Sequence, residues 1–411
     1  MLAGALGVLA LLASLLVPWH WTPGLTLEPP RADEVFGAAE LSRAESHARA
    51  LRVLTWSSYG ISIVLAVALG FTRLGSALVR RVTGNLRWWL AVPWAALLLV
   101  LVGRVATLPL GLLVRSRNLR DGLTDQGLAG WFSDWALSML VSWVMLAALL
   151  LLFIGFARRS ARWWFAWSGA LLVALTFFVS LLYPVLVEPL FNDFHPLEDG
   201  PFKESVLQLA DDEGVEVRDV LVSDASRRTT TLNAYVSGLG STRRIVLYDN
   251  LLADLTPDEA REVVAHELAH AKHRDVVLGT GLGALGVVVG VAALALVLDA
   301  PAVRRRAGVR SPAEPAAAAL ITALVAVGGL LSSPAQNMVS RAIEARADVT
   351  ALETTHDPAA FRAVQRQLAV RSLADPTPPW FGYVWFASHP TVLQRLAIAD
   401  ALEAAEKAGE G

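Results

Sequence analysis

His266, Glu267 and His270 are the residues whose types and spacing can do chemistry most directly. They stand in the run His266-Glu267-Leu268-Ala269-His270. On a helix, positions four apart project from one face, one turn apart, so the two imidazoles can share one metal ion. Glu267 beside them is placed to act on a water at that ion rather than to ligate it. The chemistry would be metal-assisted hydrolysis. Eight His and 18 Glu among 411 residues put the chance expectation of such a run at about 0.007. Thr256 is an N-cap candidate, Pro257 suits the first helical position and Glu259 completes a capping box, so a helix is predicted to start at Pro257 and carry the run. The alternative, incidental histidines on a solvated helix face, is disfavoured by that context. His273 lies off the register of the pair and reads as a surface or interface histidine.

A two-His site needs at least one more protein ligand, while catalysis needs an open position. Glu344 and Asp348 are spaced to share one helix face. Ser333-Pro334-Ala335-Gln336 is a second capping-box pattern and predicts that their helix begins there. Glu344 could complete the site and Asp348 could hold a ligand's second nitrogen. Arg341 and Arg346 support the competing reading, in which both acids make ordinary helix-surface ion pairs.

The elements that must position these residues are mostly apolar. Residues of the set AVILMFWYC make up 55% of the chain and charged residues 18%. Mean hydropathy is +0.49. An ordinary soluble protein and a disordered one are both excluded. The formal charge of −2 gives no global basic excess for a nucleic acid. The absence of cysteine excludes disulfides, thiolate metal sites and cysteine nucleophiles. Seven stretches approach the roughly 20 apolar residues of a spanning helix: 1–19, 53–72, 88–114, 135–157, 163–187, 276–298 and 316–331. The first lacks a basic n-region and an A-x-A site, which predicts a retained anchor rather than a signal peptide. Trp88, Trp89, Trp163 and Trp164 fit an interfacial aromatic belt. Arg104 is the one charge inside these stretches; either it faces the bundle interior or its span ends near Gly103 and it snorkels, the second reading being favoured.

Two regions are too polar for lipid. The chain is therefore divided into a five-span membrane region (1–187), a polar segment with strands and the His-Glu helix (188–275), two further spans (276–340) and a C-terminal catalytic part (341–411). Strands are predicted over 217–223, 231–237 and 243–248, with a hairpin turn at Gly238 and Gly240. The mixed-charge 30s to 50s read as helical. Since Val276 follows Asp275 directly, the motif helix is expected to run on into the sixth span. The fold class is thus mainly α: a seven-span bundle bearing an α+β hydrolase part.

The stretch NMVSRAIEARAD (337–348) resembles the SRxxExxAD signature of the integral-membrane CAAX prenyl endopeptidases. HELAH (266–270), LNAYVSGLGSTRRIVLYDNLL (232–252) and Ser388-His389-Pro390 followed by Arg395 resemble the same family in the same order. The resemblance implies a zincin-like metallopeptidase with one Zn2+ per chain, held by His266, His270 and Glu344, with Glu267 as general base. It implies an oxyanion role for His389 supported by Arg395, and a substrate-binding edge strand at Asn233 and Ala234. It also implies a peptide or protein substrate, including lipidated chain ends, reached from the bilayer, and a multi-pass membrane location. Two alternatives stay open: a quality-control membrane protease acting on unprenylated proteins, and a metal transporter or sensor. Loops 73–87, 158–162 and 299–315 contain four, three and four Arg on one side of the membrane. The positive-inside rule puts that side in the cytoplasm and the site outside, whereas the family places its site on the cytosolic face, so orientation stays open.

Overall fold

The computed structural model describes residues 2–20, 25–186, 192–227, 229–238 and 243–409. The chain opens with α1 (Leu2–Leu16) and a single turn, α2 (Ala32–Val35). Next, α3 (Ala38–Gly70) joins the mixed-charge segment and the second apolar stretch into one rod. A short helix, α4 (Arg73–Thr83), precedes three long ones: α5 (Trp88–Asp121), α6 (Leu128–Arg159) and α7 (Trp164–Leu186). Arg104 does not mark the end of its helix. Its helix continues to Asp121, and its Nη2 donates to the Ser138 and Ser142 hydroxyls of α6, each at 2.9 Å. A guanidinium within an apolar helix needs such partners, because lipid offers none. These contacts fit the reading in which Arg104 faces the neighbouring helix.

The polar segment forms β1 (Phe194–Pro196), α8 (Pro201–Asp212), β2 (Asp219–Ser223), β3 (Ala234–Ser237), β4 (Arg244–Tyr248) and α9 (Asp249–Asp254). The four strands make one sheet in the order β1-β2-β4-β3, with β2 and β4 parallel and the outer pairs antiparallel. The three predicted strands are present with trimmed ends, and β1 is an addition too short to carry an alternating pattern. Gly238 has a φ of +89°, as the predicted turn needs; Gly240 lies outside the described residues. Helix α10 (Pro257–Lys272) starts as predicted: Glu259 donates its N–H to Thr256 Oγ1 (3.3 Å), and Glu259 Oε2 accepts from the Thr256 N–H (2.9 Å). Leu268, Val264 and Ala265 are fully buried against the sheet residues Ile245 and Leu247 and against Ala351.

Two expected boundaries are corrected. The motif helix does not run into the sixth span: α10 stops at Lys272, Arg274 adopts φ +57°, and α11 (Asp275–Asp299) starts afresh. A non-glycine residue in the left-handed region is held by tertiary contacts, described below for Asp275. After α12 (Pro301–Ala307), α13 runs unbroken from Ala318 to Thr355 with Pro334 inside it, so Ser333 is not an N-cap. Its hydroxyl donates instead to Trp385 O at 2.6 Å. The C-terminal part adds α14 (Pro358–Ser372), α15 (Trp380–Phe386) and α16 (Val392–Gly409).

Among the described residues, five helices are long and apolar enough to cross a membrane: α3, α5, α6, α11 and α13 with its preceding turn. α1 is apolar but only 15 residues long, and α7 is an apolar helix of 23 residues. Membrane helices pack most tightly at the end away from the polar segment, where Val92, Leu150, Ile154, Leu298 and Leu320 are fully buried. There α3 crosses α13 so closely that a Cβ on Gly70 would lie 2.2 Å from Ala323 Cβ.

Glu262, one turn before His266 on α10, is 2% exposed. Burial pushes its carboxyl from 4.5 up to about 7, the Thr355 hydroxyl opposing and Asp357 reinforcing the shift. An acid with a higher pKa folded than unfolded binds its proton more tightly when folded. Its contribution is therefore complete below the unfolded value and is lost as pH rises through about 7. A shift of this size corresponds to about 3 kcal/mol. Glu262→Gln is expected to melt with the wild type near pH 4.5 and above it at pH 8, by thermal unfolding in detergent. The same difference at both pH values would remove Glu262 as the titrating group.

Candidate active site

Small side chains let α10 and α13 approach. Ala265 on one helix and Ala351 on the other are buried in one cluster at the crossing. The crossing brings His266, His270 and Glu344 together, with one donor atom from each lying within 4.8 Å of the others. His266 Nε2 is 3.2 Å from His270 Nε2 and 3.3 Å from Glu344 Oε2; His270 Nε2 is 3.7 Å from Glu344 Oε1. Glu344 Oε2 is buried and has no hydrogen-bond donor.

Each imidazole is oriented from behind by a carboxylate. His266 Nδ1 lies 2.9 Å from Asp348 Oδ1, and Asp348 is fully buried. Arg395 closes the triad: its Nε donates to Asp348 Oδ2 at 2.8 Å and its Nη2 lies 3.3 Å from His266 Nδ1. Asp348 thus stands where its spacing suggested, and the recorded contacts of Arg395 run to Asp348 and His266. On the other side, His270 Nδ1 lies 2.9 Å from Asp275 Oδ2, and Arg346 pairs with Asp275 in turn. Asp275 was not singled out in the sequence, and the left-handed Arg274 is what turns it back toward His270. With both Nδ1 atoms facing carboxylates, the ring proton belongs on Nδ1, which turns both Nε2 atoms and a carboxylate oxygen toward one point where an ion can take the place of any further proton. Burial disfavours a charged His266, yet Asp348 and Glu344 more than reverse this and raise it to about 10. The pocket attracts positive charge at the convergence point.

One stripe of α13 serves the neighbouring loop. Ser333, Asn337 and Arg341 donate to the Trp385, Val384, Tyr383 and Ala387 carbonyls at the end of α15, at 2.6–3.2 Å. Arg341 also lies over the Tyr383 ring at 4.4 Å. These bonds satisfy the last carbonyls of a seven-residue helix and hold the loop that follows it. That loop puts His389 Nε2 3.3 Å from Glu344 Oε2, with His389 Nδ1 2.9 Å from Ser388 Oγ. Neither arginine is an idle surface partner. His273 stays outside the cluster; its Nε2 meets Thr350 Oγ1 at 2.9 Å.

β3 is an edge strand and packs beside α10. Asn233 O accepts from the Tyr248 N–H at 3.1 Å, and Ala234 stands opposite Leu247. Because main-chain groups alternate along a strand, those of Ala234 and Val236 point to the open edge.

The sequence profile of peptidase family M48 matches residues 196–403, which include strands β2, β3 and β4 and every residue of this cluster. The chain belongs to peptidase family M48. A second profile, the CAAX prenyl protease N-terminal region with five membrane helices, matches residues 118–193. The M48 chain is 28% identical over 334 residues to the uncharacterized metalloprotease YhfN of Bacillus subtilis, covering 79% of this chain and 78% of that protein. It is 32% identical over 233 residues to a CAAX prenyl protease 1 homolog of Oryza sativa, covering 56% and 54%. The crystal structure of S. mikatae Ste24p shares its fold, with a TM-score of 0.79 at 21% identity over 97% of this chain and 98% of that one. The protein is accordingly a metallopeptidase and a multi-pass integral membrane protein. The metal that an M48 peptidase implies fits this donor set: two imidazole Nε2 atoms and a buried carboxylate oxygen without a hydrogen-bond partner converge where a divalent cation can replace the proton that the carboxylates otherwise hold on His266.

Proposed function

We propose that the protein is a zinc endopeptidase of the CAAX prenyl protease type, cutting near the C-terminus of lipid-modified peptides. The observation that carries this reading is the convergence of His266, His270 and Glu344 beside an open strand edge, at the foot of a spanning helix. Two imidazoles and a carboxylate suit zinc. When bound, the ion supplies Lewis acidity for the scissile carbonyl and for water.

The chain's own residues supply the rest. An extended substrate pairs with the outward main-chain groups of Ala234 and Val236 by β-augmentation, which fixes its register against α10. Asn233 and Tyr248 hold that strand in place. Glu267 accepts the proton of the attacking water and returns it to the leaving amine. Burial pushes its carboxyl up, and His266 and His270 oppose that push. His389 Nε2, on the open side of Glu344 and 60% exposed, donates to the oxyanion. Arg395 and Asp348 hold His266, and Asp275 holds His270, so that the geometry survives each turnover.

Lipidated chain ends are supported by position. Glu344 follows Ser340, the last residue of an uncharged run, by four residues, about 6 Å along the helix. A chain end anchored in the bilayer therefore arrives beside the site. Several relatives are named CAAX prenyl proteases. The test is cleavage in detergent of two matched C-terminal peptides, one farnesylated and one bare. Zinc-dependent cutting of the farnesylated peptide alone is expected. Equal cutting of both would keep the peptidase and move the substrate to unprenylated proteins.

A further inference from the structure

The end of the bundle opposite the active site carries a second feature. Helix α4, the turn into α5, the last turn of α6 and the loop before α13 frame an open cavity of about 570 Å³. Arg80, Arg87 and Arg158 line it, with the indoles of Trp88 and Trp89; Glu314 is the one acid in the wall. Arg80 donates to Gly308 O at 3.2 Å and to Ser76 Oγ at 3.1 Å. Arg158 donates to Ala313 O at 3.3 Å and lies over the Trp88 ring at 5.4 Å. These neutral contacts fix two guanidinium groups and leave their charge uncompensated. Arg87 is exposed and has no side-chain partner among the described residues. Glu314 is turned to its own loop, where Oε1 accepts from the Arg310 N–H at 2.5 Å. The loops that build this end, 73–87, 158–162 and 299–315, hold eleven Arg against Asp299 and Glu314.

We propose that this cavity binds the phosphate group of an anionic phospholipid. Three like charges around one space repel one another, and an anion between them reverses the sign of that interaction. Guanidinium forks match phosphate oxygens in pairs. Two features select a lipid over free phosphate. Trp88 and Trp89 begin a membrane-capable helix, so the mouth lies at the bilayer boundary, where indoles concentrate. Farther along α5, Leu90 is 39% and Trp94 51% exposed, giving acyl chains an apolar track below the headgroup. Basic pockets between spanning helices hold anionic headgroups in this way.

The test is lipid titration of the full-length protein, starting from phosphatidylcholine nanodiscs and read by native mass spectrometry. One phosphatidylglycerol per chain is expected to be retained. Arg87→Glu, which breaks no intrachain contact, is expected to weaken retention at least about tenfold. Arg158→Ala should do the same if it folds, as its melting temperature will show. Arg305→Ala with Arg306→Ala, on the same face outside the cavity, should change retention less than about twofold. Equal losses in the cavity and control variants would reduce the effect to diffuse surface charge and overturn the site. Displacement of the lipid by millimolar inorganic phosphate, with no preference for the acylated form, would overturn the lipid assignment.

Discussion

Glu267→Gln is expected to lower kcat for peptide hydrolysis by about 10³-fold while the protein keeps its metal. The substitution preserves shape and removes only the ability to take up a proton. Glu267 stands between the two histidines in sequence, but it is not among the three donors that converge. The proton of the attacking water then has no acceptor at the right place, and the leaving amine has no donor. KM should change little, because an extended substrate is held by the β3 edge, which Glu267 does not build. Turnover of a quenched fluorescent peptide and metal content by elemental analysis are the two readings needed. Activity within tenfold of wild type would reject Glu267 as the base, and a parallel loss of metal would make it a ligand instead.

How much of this site could be read from sequence depended on how local its causes are. The His-Glu helix was legible because its start is written in neighbouring residues: Thr256 and Glu259 bond each other's backbone in the structure. Glu344 and Asp348 were legible as a pair because four residues is one helical turn, and the fold then brought that face against α10. Asp275 was not. On a continuous helix a residue five after His270 points about 140° away from it, so its type carried no signal. Only the break at Arg274, which no glycine or proline announces, brings Asp275 to His270. The reverse error occurred at Pro334. A capping pattern was present, yet apolar packing and α15 carried α13 straight through it. Arg395 could not be placed from sequence either, since its partner Asp348 lies 47 positions away. The span count depends on helix length as well as hydropathy: five of the seven stretches form helices of 25 residues or more, α7 has 23 and α1 only 15.

Glu344→Ala is expected to purify with far less than one equivalent of metal, a loss in affinity of more than about 100-fold. Removing it leaves two imidazoles at one point, with no anionic donor among them. The orienting carboxylates should behave differently. Asp275→Ala leaves all three donors and only frees the His270 ring, so affinity is expected to fall by about 10- to 100-fold, the range typical of outer partners. His389 provides the critical comparison, because its Nε2 lies 3.3 Å from Glu344 Oε2 and is close enough to compete for the ligand role. If it donates to the oxyanion, His389→Ala keeps a full equivalent of metal and loses turnover. A titration of zinc against a competing chelator, run on all three variants, separates the roles. A full equivalent in Glu344→Ala together with loss in His389→Ala would exchange the two assignments. Equal affinities for Asp275→Ala and wild type would leave the left-handed turn at Arg274 without a function in metal binding.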